Sequence, residues 1–277
     1  MPAHVPATSF PQAGFRFLRQ LKERRALIAN LVIRDFRQRY VGSSLGWLWA
    51  AVHPAVLLAS YTFVFSVVLQ IPKGKDWGTD SFALYLFAGI LPWLLFQETV
   101  ARSATSIVDY SNLITKTVFP SELLPISIFC ANLLHHLIGL VVLLAIALTA
   151  VERITPALAL IPVYLLLLAM FTVGISWFVA SLQVFLRDTS QVLNIVLIFW
   201  FWTTPIFFSA DRLPERLRIL GRINPLAQVV DAYRRAIFTG GMPGSSDLAL
   251  LAAVSATAFL AGGLFFRYTK RAFGDVL

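Results

Sequence analysis

Hydrophobic and polar positions in this chain fall into long apolar runs separated by short charged connections. Between Arg39 and Lys73 there is no Asp, Glu, Lys or Arg, a gap longer than the ~20 apolar residues that cross a bilayer as a helix. With that first run, Tyr40–Pro72, the charge-poor segments Ser81–Gln97, Leu123–Val151, Ile154–Leu186, Thr189–Ala210 and Leu248–Phe266 predict six transmembrane helices. Ser81–Gln97 is the shortest, and Phe82, Leu84, Tyr85, Leu86, Phe87 and the Trp93–Phe96 cluster give it apolar bulk and an aromatic band.

Ahead of the first run, residues 1–14 contain Pro2, Pro6 and Pro11 and little periodicity, the pattern of a flexible tail. Over residues 15–40 the period becomes helical. Leu21, Ile28, Leu31, Val32, Phe36 and Tyr40 recur on one face, with Arg24, Asn30, Arg34, Arg37 and Gln38 mostly on others. This predicts a basic amphipathic helix on the membrane surface. The expected organisation is therefore an interface helix at 15–40, a transmembrane domain at 41–269 and a cytoplasmic tail at 270–277.

Charge orients the spans. An even count puts both termini on one side, and Arg16, Arg19, Lys22, Arg24, Arg25, Arg34, Arg37 and Arg39 against Glu23 and Asp35 make that side cytoplasmic. Arg267, Lys270 and Arg271 agree, and the connections Lys73–Asp80 and Glu152–Arg153 then face outward. One outer segment breaks the rule: Arg212, Arg216, Arg218, Arg222, Arg234 and Arg235 face only Asp211, Glu215 and Asp231. Asn224-Pro225 reads as a helix cap followed by a first-turn proline. The stripes Leu213, Leu217, Leu220 and Leu226, Val229, Val230, Tyr233, Ile237 predict two short helices at about 211–238 that dip into the outer leaflet as a re-entrant hairpin. On the cytoplasmic side, residues from about 103 to 119 join spans two and three, with polar character, Leu113 and Phe119 exposed, and no strong helix breaker before Pro120. They predict a short helix parallel to the membrane.

Composition supports this class: 58% hydrophobic, 13% charged and a mean hydropathy of +0.75 exclude an ordinary soluble domain. The net charge of +9 fits cytoplasmic loops and anionic lipid rather than nucleic acid. Cys130 is the single cysteine, so one chain builds neither a disulfide framework nor a thiolate cluster. The first apolar run begins near Leu45, too deep and too long for a cleaved signal, so the first span is expected to be retained.

Candidate chemistry is sparse. No Gly-x-x-x-x-Gly-Lys-Ser/Thr loop occurs; Gly74-Lys75 lacks its first glycine, so ATP hydrolysis is not expected of this chain. His135 and His136 are adjacent rather than i,i+4, which favours polar packing or a pore lining over metal. Ser176 and Ser181 have no acid or histidine at a defined spacing. Glu98 and Arg102 are spaced for an intrahelical ion pair, preferred over a general-acid role for Glu98, and His53-Pro54 reads as a kink facing the protein interior in preference to a direct substrate contact. Phe199-Trp200-Phe201-Trp202, Tyr61, Phe63, Phe65, Trp93 and Phe96 suit either stacking on sugar faces or a lipid-facing belt. The N-terminal arginines suit either anionic headgroups or bidentate phosphate capture.

The run Arg34-Asp-Phe-Arg-Gln-Arg-Tyr-Val-Gly-Ser-Ser-Leu-Gly-Trp-Leu-Trp49, then His53-Pro54 and Tyr61-Thr-Phe-Val-Phe-Ser66, resembles the start of the permease subunits of type-2 ABC exporters for polysaccharides. These export O-antigen, capsular polysaccharide or teichoic acid. Asn112-Leu-Ile-Thr-Lys-Thr-Val-Phe-Pro120-Ser-Glu-Leu-Leu-Pro125 is similar to that family's coupling region, and Asn224-Pro225-Leu226 to its outer gate helix. The family pattern suggests Asn or another polar residue where His53 stands. The resemblance implies an all-α homodimer in a bacterial cytoplasmic membrane, paired with two copies of a separate ATPase that carries the ATP and Mg. No cofactor or metal is implied for this chain. The implied substrate is a glycan on undecaprenyl diphosphate. Arg34, Arg37, Arg39 and Tyr40 would capture the headgroup, and Tyr61, Phe65, Trp200 and Trp202 would line the glycan channel. Asp109, Asn112, Leu113, Lys116 and Phe119 would couple to the ATPase, and Leu217, Pro225 and Tyr233 would form the outer gate. Two alternatives are a type-2 exporter of a lipid or drug and a membrane-embedded glycan-processing enzyme.

Overall fold

A computed structural model describes residues 19, 22–39, 41–70, 78–117, 119–151, 155–208, 215–242 and 244–277, apart from the side chains of 150, 151 and 217–220. The described residues are helical or irregular, with no strand among them. Five helices are long and apolar enough to cross a membrane. They are α2 (Gly46–Val68), α3 (Phe82–Asp109), α5 (Leu123–Val151), α6 (Pro156–Phe185) and α10 (Ser245–Val276). The run Thr189–Ala210, expected to supply a further span, forms the shorter helix α7 (Thr189–Thr203). Its end has a local cause: the residue before a proline is pushed out of the helical region, and Thr204, before Pro205, is extended at φ −86, ψ 129.

Helix α3 is the centre of the bundle, buried along nearly all its length against α5, α6, α7 and the helix over Pro225–Arg234. Ser81 caps it by accepting the Leu84 N–H at 3.4 Å. It then runs well beyond the last apolar residue of its sequence run, because Thr99–Asp109 contains no breaker and buries Val100, Ala104 and Ile107. Residues 103–109 of the expected cytoplasmic helix thus belong to α3. Only Ser111–Lys116 (α4) follows as a separate short helix.

Without a hydrophobic force between helices in lipid, close packing needs small residues. Helices α6 and α10 meet at Gly174, Ala258 and Gly262, where a methyl group on either glycine would collide with the facing backbone. Lys270 pairs with Glu122 and ties the C-terminal segment to the start of α5.

Helix α1 (Arg25–Gln38) lies against α5, with Phe36 and His135 ring centroids 5.0 Å apart, and buries no residue completely. On the opposite side of the chain order, a short turn at Glu215–Leu217 leads into α8 (Arg218–Ile223) and α9 (Pro225–Arg234), which continues as a π-turn over Arg235–Thr239. Asn224 caps α9 by accepting the Leu226 N–H at 3.1 Å, with Pro225 in the first turn. The expected stripe Leu226, Val229, Val230, Tyr233, Ile237 is buried. Leu213 lies outside the described residues, as do the side chains of Leu217 and Leu220.

Candidate functional site

At the C-terminal end of α3 the charged residues of α1 meet charged and polar residues of α3 and α5. Asp35 accepts from both terminal nitrogens of Arg102, from Nη1 at 3.1 Å. Arg39 stands 3.6 Å from Asp35 and 3.6 Å from Glu98, and donates to Asn132 Oδ1. Asn132 also accepts from Arg102 Nη1 at 3.3 Å and donates to Thr99 Oγ1 at 3.0 Å. The expected Glu98–Arg102 pair is replaced by these cross-helix pairs, because Asp35 and Arg39 present opposite charges at the same four-residue spacing. Asp35, Arg102 and Asn132 were missed as site residues; the i,i+4 match between the two helices was the available signal.

The residues assigned to headgroup capture are thus placed differently from one another. Arg39 is enclosed by this network. Arg34 donates to the Tyr110 hydroxyl and lies 5.2 Å from its ring centroid. Arg37 is exposed, and Tyr40 lies outside the described residues. Beside the network, α2, α3 and α5 enclose a cavity of about 450 Å³, within the size range of small-molecule sites. Its body is apolar, with Pro54, Leu57, Leu91 and Leu94, and Arg39, Glu98 and Asn132 stand at its polar end. His53 lines it too, although it remains exposed.

The four residues assigned to a glycan channel divide into two kinds. Tyr61, Phe65 and Trp200 are half-buried against the core: Phe65 meets Phe82 edge-on at 5.0 Å, and Trp200 lies 5.2 Å from Phe96. The Trp200 indole N–H donates to Asn224 Oδ1 at 3.1 Å, and Asn224 Nδ2 donates to Thr204 Oγ1 at 3.0 Å, so α7 and the hairpin share one cap residue. Trp202 is exposed and stacks on Phe207 at 5.5 Å. It belongs to an uncovered stripe on α7 with Val192, Ile195, Val196 and Phe199. Trp47, Trp49, Val56, Phe63 and Val67 leave α2 similarly uncovered.

In the α8–α9 hairpin, Tyr233 is fully buried. His136 Nδ1 is 3.2 Å from the Leu91 carbonyl and must donate to it, which leaves Nε2 to accept from the Tyr233 hydroxyl at 2.9 Å. Arg234 is buried as well. Its Nε donates to Tyr85 O at 3.2 Å, Nη1 to Pro205 O at 2.8 Å and Nη2 to Ile206 O, with Cζ 3.7 Å from the Tyr85 ring centroid. Gly89 makes room for it: a methyl there would come within 2.6 Å of Nη2. Arg235 pairs with Asp231 at 2.5 Å. Two of the arginines that broke the charge rule are therefore engaged within the fold. His136, read from the sequence as polar packing or a pore lining rather than a metal ligand, is a buried packing residue; Arg234 was counted only among the arginines of the segment, although it follows Val230 by four positions and so falls on the apolar stripe.

Of the residues assigned to coupling, Asn112, Leu113 and Lys116 are exposed on or beside α4, and Asp109 accepts from Thr105 Oγ1 at 2.8 Å. Phe119 instead packs partly against the core. Among the described residues no group of three or more His, Cys, Asp or Glu side chains is placed to hold a metal.

The sequence profile of the family described as ABC-2 type transporter matches residues 26–238. An O-antigen export system permease protein, RfbA, of Myxococcus xanthus is 28% identical over 264 residues, covering 94% of this chain and 98% of that relative. A protein of the same name from Klebsiella pneumoniae is 28% identical over 254 residues, 91% of this chain and 95% of its own. The polysialic acid transport protein KpsM of Escherichia coli is 22% identical over 247 residues, covering 88% and 94%.

Proposed function

The chain belongs to the ABC-2 type transporter family, and we propose that within it this protein is the permease of an exporter moving undecaprenyl-diphosphate-linked polysaccharide, an O-antigen, across the bacterial cytoplasmic membrane. Near end-to-end similarity to permeases named for O-antigen export carries this reading. Two chains form the channel and two separate ATPase subunits drive it. The uncovered apolar faces of α2 and α7 support a second copy at that position, since faces of this kind mark interfaces when they are not simply lipid-exposed. α7 with the irregular residues 204–208 completes a sixth crossing, which keeps both termini cytoplasmic. The exposed Asn112, Leu113 and Lys116 dock the ATPase, and the Glu215–Thr239 hairpin closes the outer mouth.

Co-expression with the candidate ATPase tests the assignment. The two chains should co-purify, and the complex in proteoliposomes should hydrolyse ATP and export lipid-linked glycan; export by this chain without an ATPase would overturn it. Leu113→Asp with Phe119→Asp should abolish both co-purification and transport. A cysteine at Arg218 in a Cys130→Ser background should be labelled from outside, and labelling from the cytoplasm alone would overturn the six-span orientation.

A further inference from the structure

Three contacts join α1 to the end of α3 in antiparallel order: Arg39 with Glu98, Asp35 with Arg102, and Arg34 with Tyr110. Tyr110 is the point where α3 stops and α4 starts. Its N–H closes the last turn of α3 on Ser106 O at 3.2 Å, and its carbonyl accepts the Leu113 and Ile114 N–H groups at 2.9 and 3.0 Å. Whatever holds this side chain holds the angle between the two helices. Arg34 holds it twice, through the hydroxyl and through the ring face.

The partners of the two arginines differ in kind. Arg39 faces two carboxylates, whereas the described contacts of Arg34 are to a neutral phenol, and Arg34 is exposed. The Arg34–Tyr110 bond has a charged donor only, whereas a phosphate supplies a charged acceptor as well and takes two parallel N–H···O bonds from the guanidinium, a stronger and geometrically specific pairing. A phosphate arriving at α1 therefore outcompetes Tyr110 for Arg34. The Asp35–Arg102 pair, about two turns away along α3, keeps α1 in place during the exchange.

Taking the export function above as its premise, we propose that Tyr110 is a positioning residue for coupling, held by Arg34 while α1 is empty and released when a diphosphate headgroup takes Arg34. Release frees α4 to reorient against the ATPase. Substrate presence is thus reported to the ATPase within one subunit, through one side-chain exchange.

The test uses the permease–ATPase complex in vesicles of phosphatidylethanolamine and phosphatidylglycerol, with undecaprenyl diphosphate as the probe and undecaprenol and soluble pyrophosphate as comparison arms. Undecaprenyl diphosphate should accelerate ATP hydrolysis, and pyrophosphate should do so in part. Undecaprenol acting as well as the diphosphate would overturn the exchange. Tyr110→Phe keeps the ring and removes the hydroxyl. It should raise the probe-free rate and lower the stimulation ratio by roughly two- to fivefold, the effect of one half-exposed hydrogen bond. Spin labels at Asn30→Cys and Thr115→Cys in a Cys130→Ser background read the geometry directly. Their distance distribution should broaden with undecaprenyl diphosphate and be broad already in Tyr110→Phe. Stimulation and label distance that Tyr110→Phe leaves unaltered would overturn the linkage alone. A wild-type complex that ignores the diphosphate in both readouts would instead overturn the substrate reading.

Discussion

Helices α2 and α3 both have the length and composition of a membrane span, yet 6% of the most apolar window of α2 is buried within the chain against 83% of that of α3. The more apolar helix is the less buried one. In water the opposite would be expected, but lipid is as apolar as a core, so hydropathy cannot sort an inner helix from an outer one. The placement of small and weakly polar residues, rather than their number, differs: Ala55, Ala59, Ser60, Thr62 and Ser66 of α2 are exposed. α3 carries Ala83, Ala88, Gly89, Thr99, Ser103, Ala104 and Ser106 at buried positions, where backbones and cationic side chains come close. α2 presents Trp47, Trp49, Val56, Phe63 and Val67 outward, with bulk and no close approach.

The contrast can be broken most severely at Arg234. Arg234→Ala removes the cation that satisfies three carbonyls, and Gly89→Leu fills the space it occupies. Each should cost about 3 kcal/mol or more, seen as loss of monodisperse protein in detergent. Recovery at wild-type yield and melting temperature would show that the hairpin does not depend on α3. Asp35→Ala should come next. It leaves Arg102 and Arg39 short of a partner, roughly 1–2 kcal/mol in a half-exposed site, and should expose α1 to protease several-fold faster without unfolding the bundle. Tyr233→Phe deletes one buried donor to His136, worth about 1 kcal/mol, and should lower the melting temperature modestly. Smallest for the isolated chain is Trp202→Ala: within about 0.5 kcal/mol of wild type, while subunit association and transport fall. A loss of chain stability matching that of Trp93→Ala, whose ring is buried against Phe96 and Phe201, would erase the distinction between inner and outer helices.

Long apolar runs between charges located the five long helices, because a bilayer imposes a length that sequence displays directly. Their ends were less legible. Charge marked the boundary of the hydrocarbon at Gln97, but helical hydrogen bonding has no reason to stop there, and α3 continues to Asp109. The break at Thr203 was written in Thr204-Pro205, where a local rule outranked the apolar pattern. Site residues divide by the same logic. Asn224-Pro225 and the stripe of α9 are local and were readable. The pairings of Asp35 with Arg102 and of His136 with Tyr233 join residues 67 and 97 positions apart, and no periodicity carries such information. The intrahelical spacing of Glu98 and Arg102 pointed to the wrong partners for that reason.

One property of α3 reaches beyond packing. Its 28 residues make a shaft of roughly 42 Å, with Tyr85 and Gly89 cradling Arg234 near one end and Tyr110 ending the other. Pro92 removes one rung of its hydrogen bonding, and the helix nonetheless runs without a break from Phe82 to Asp109. One helix therefore joins the hairpin that packs around Arg234 to the turn from which α4 starts, and the two share a single axis.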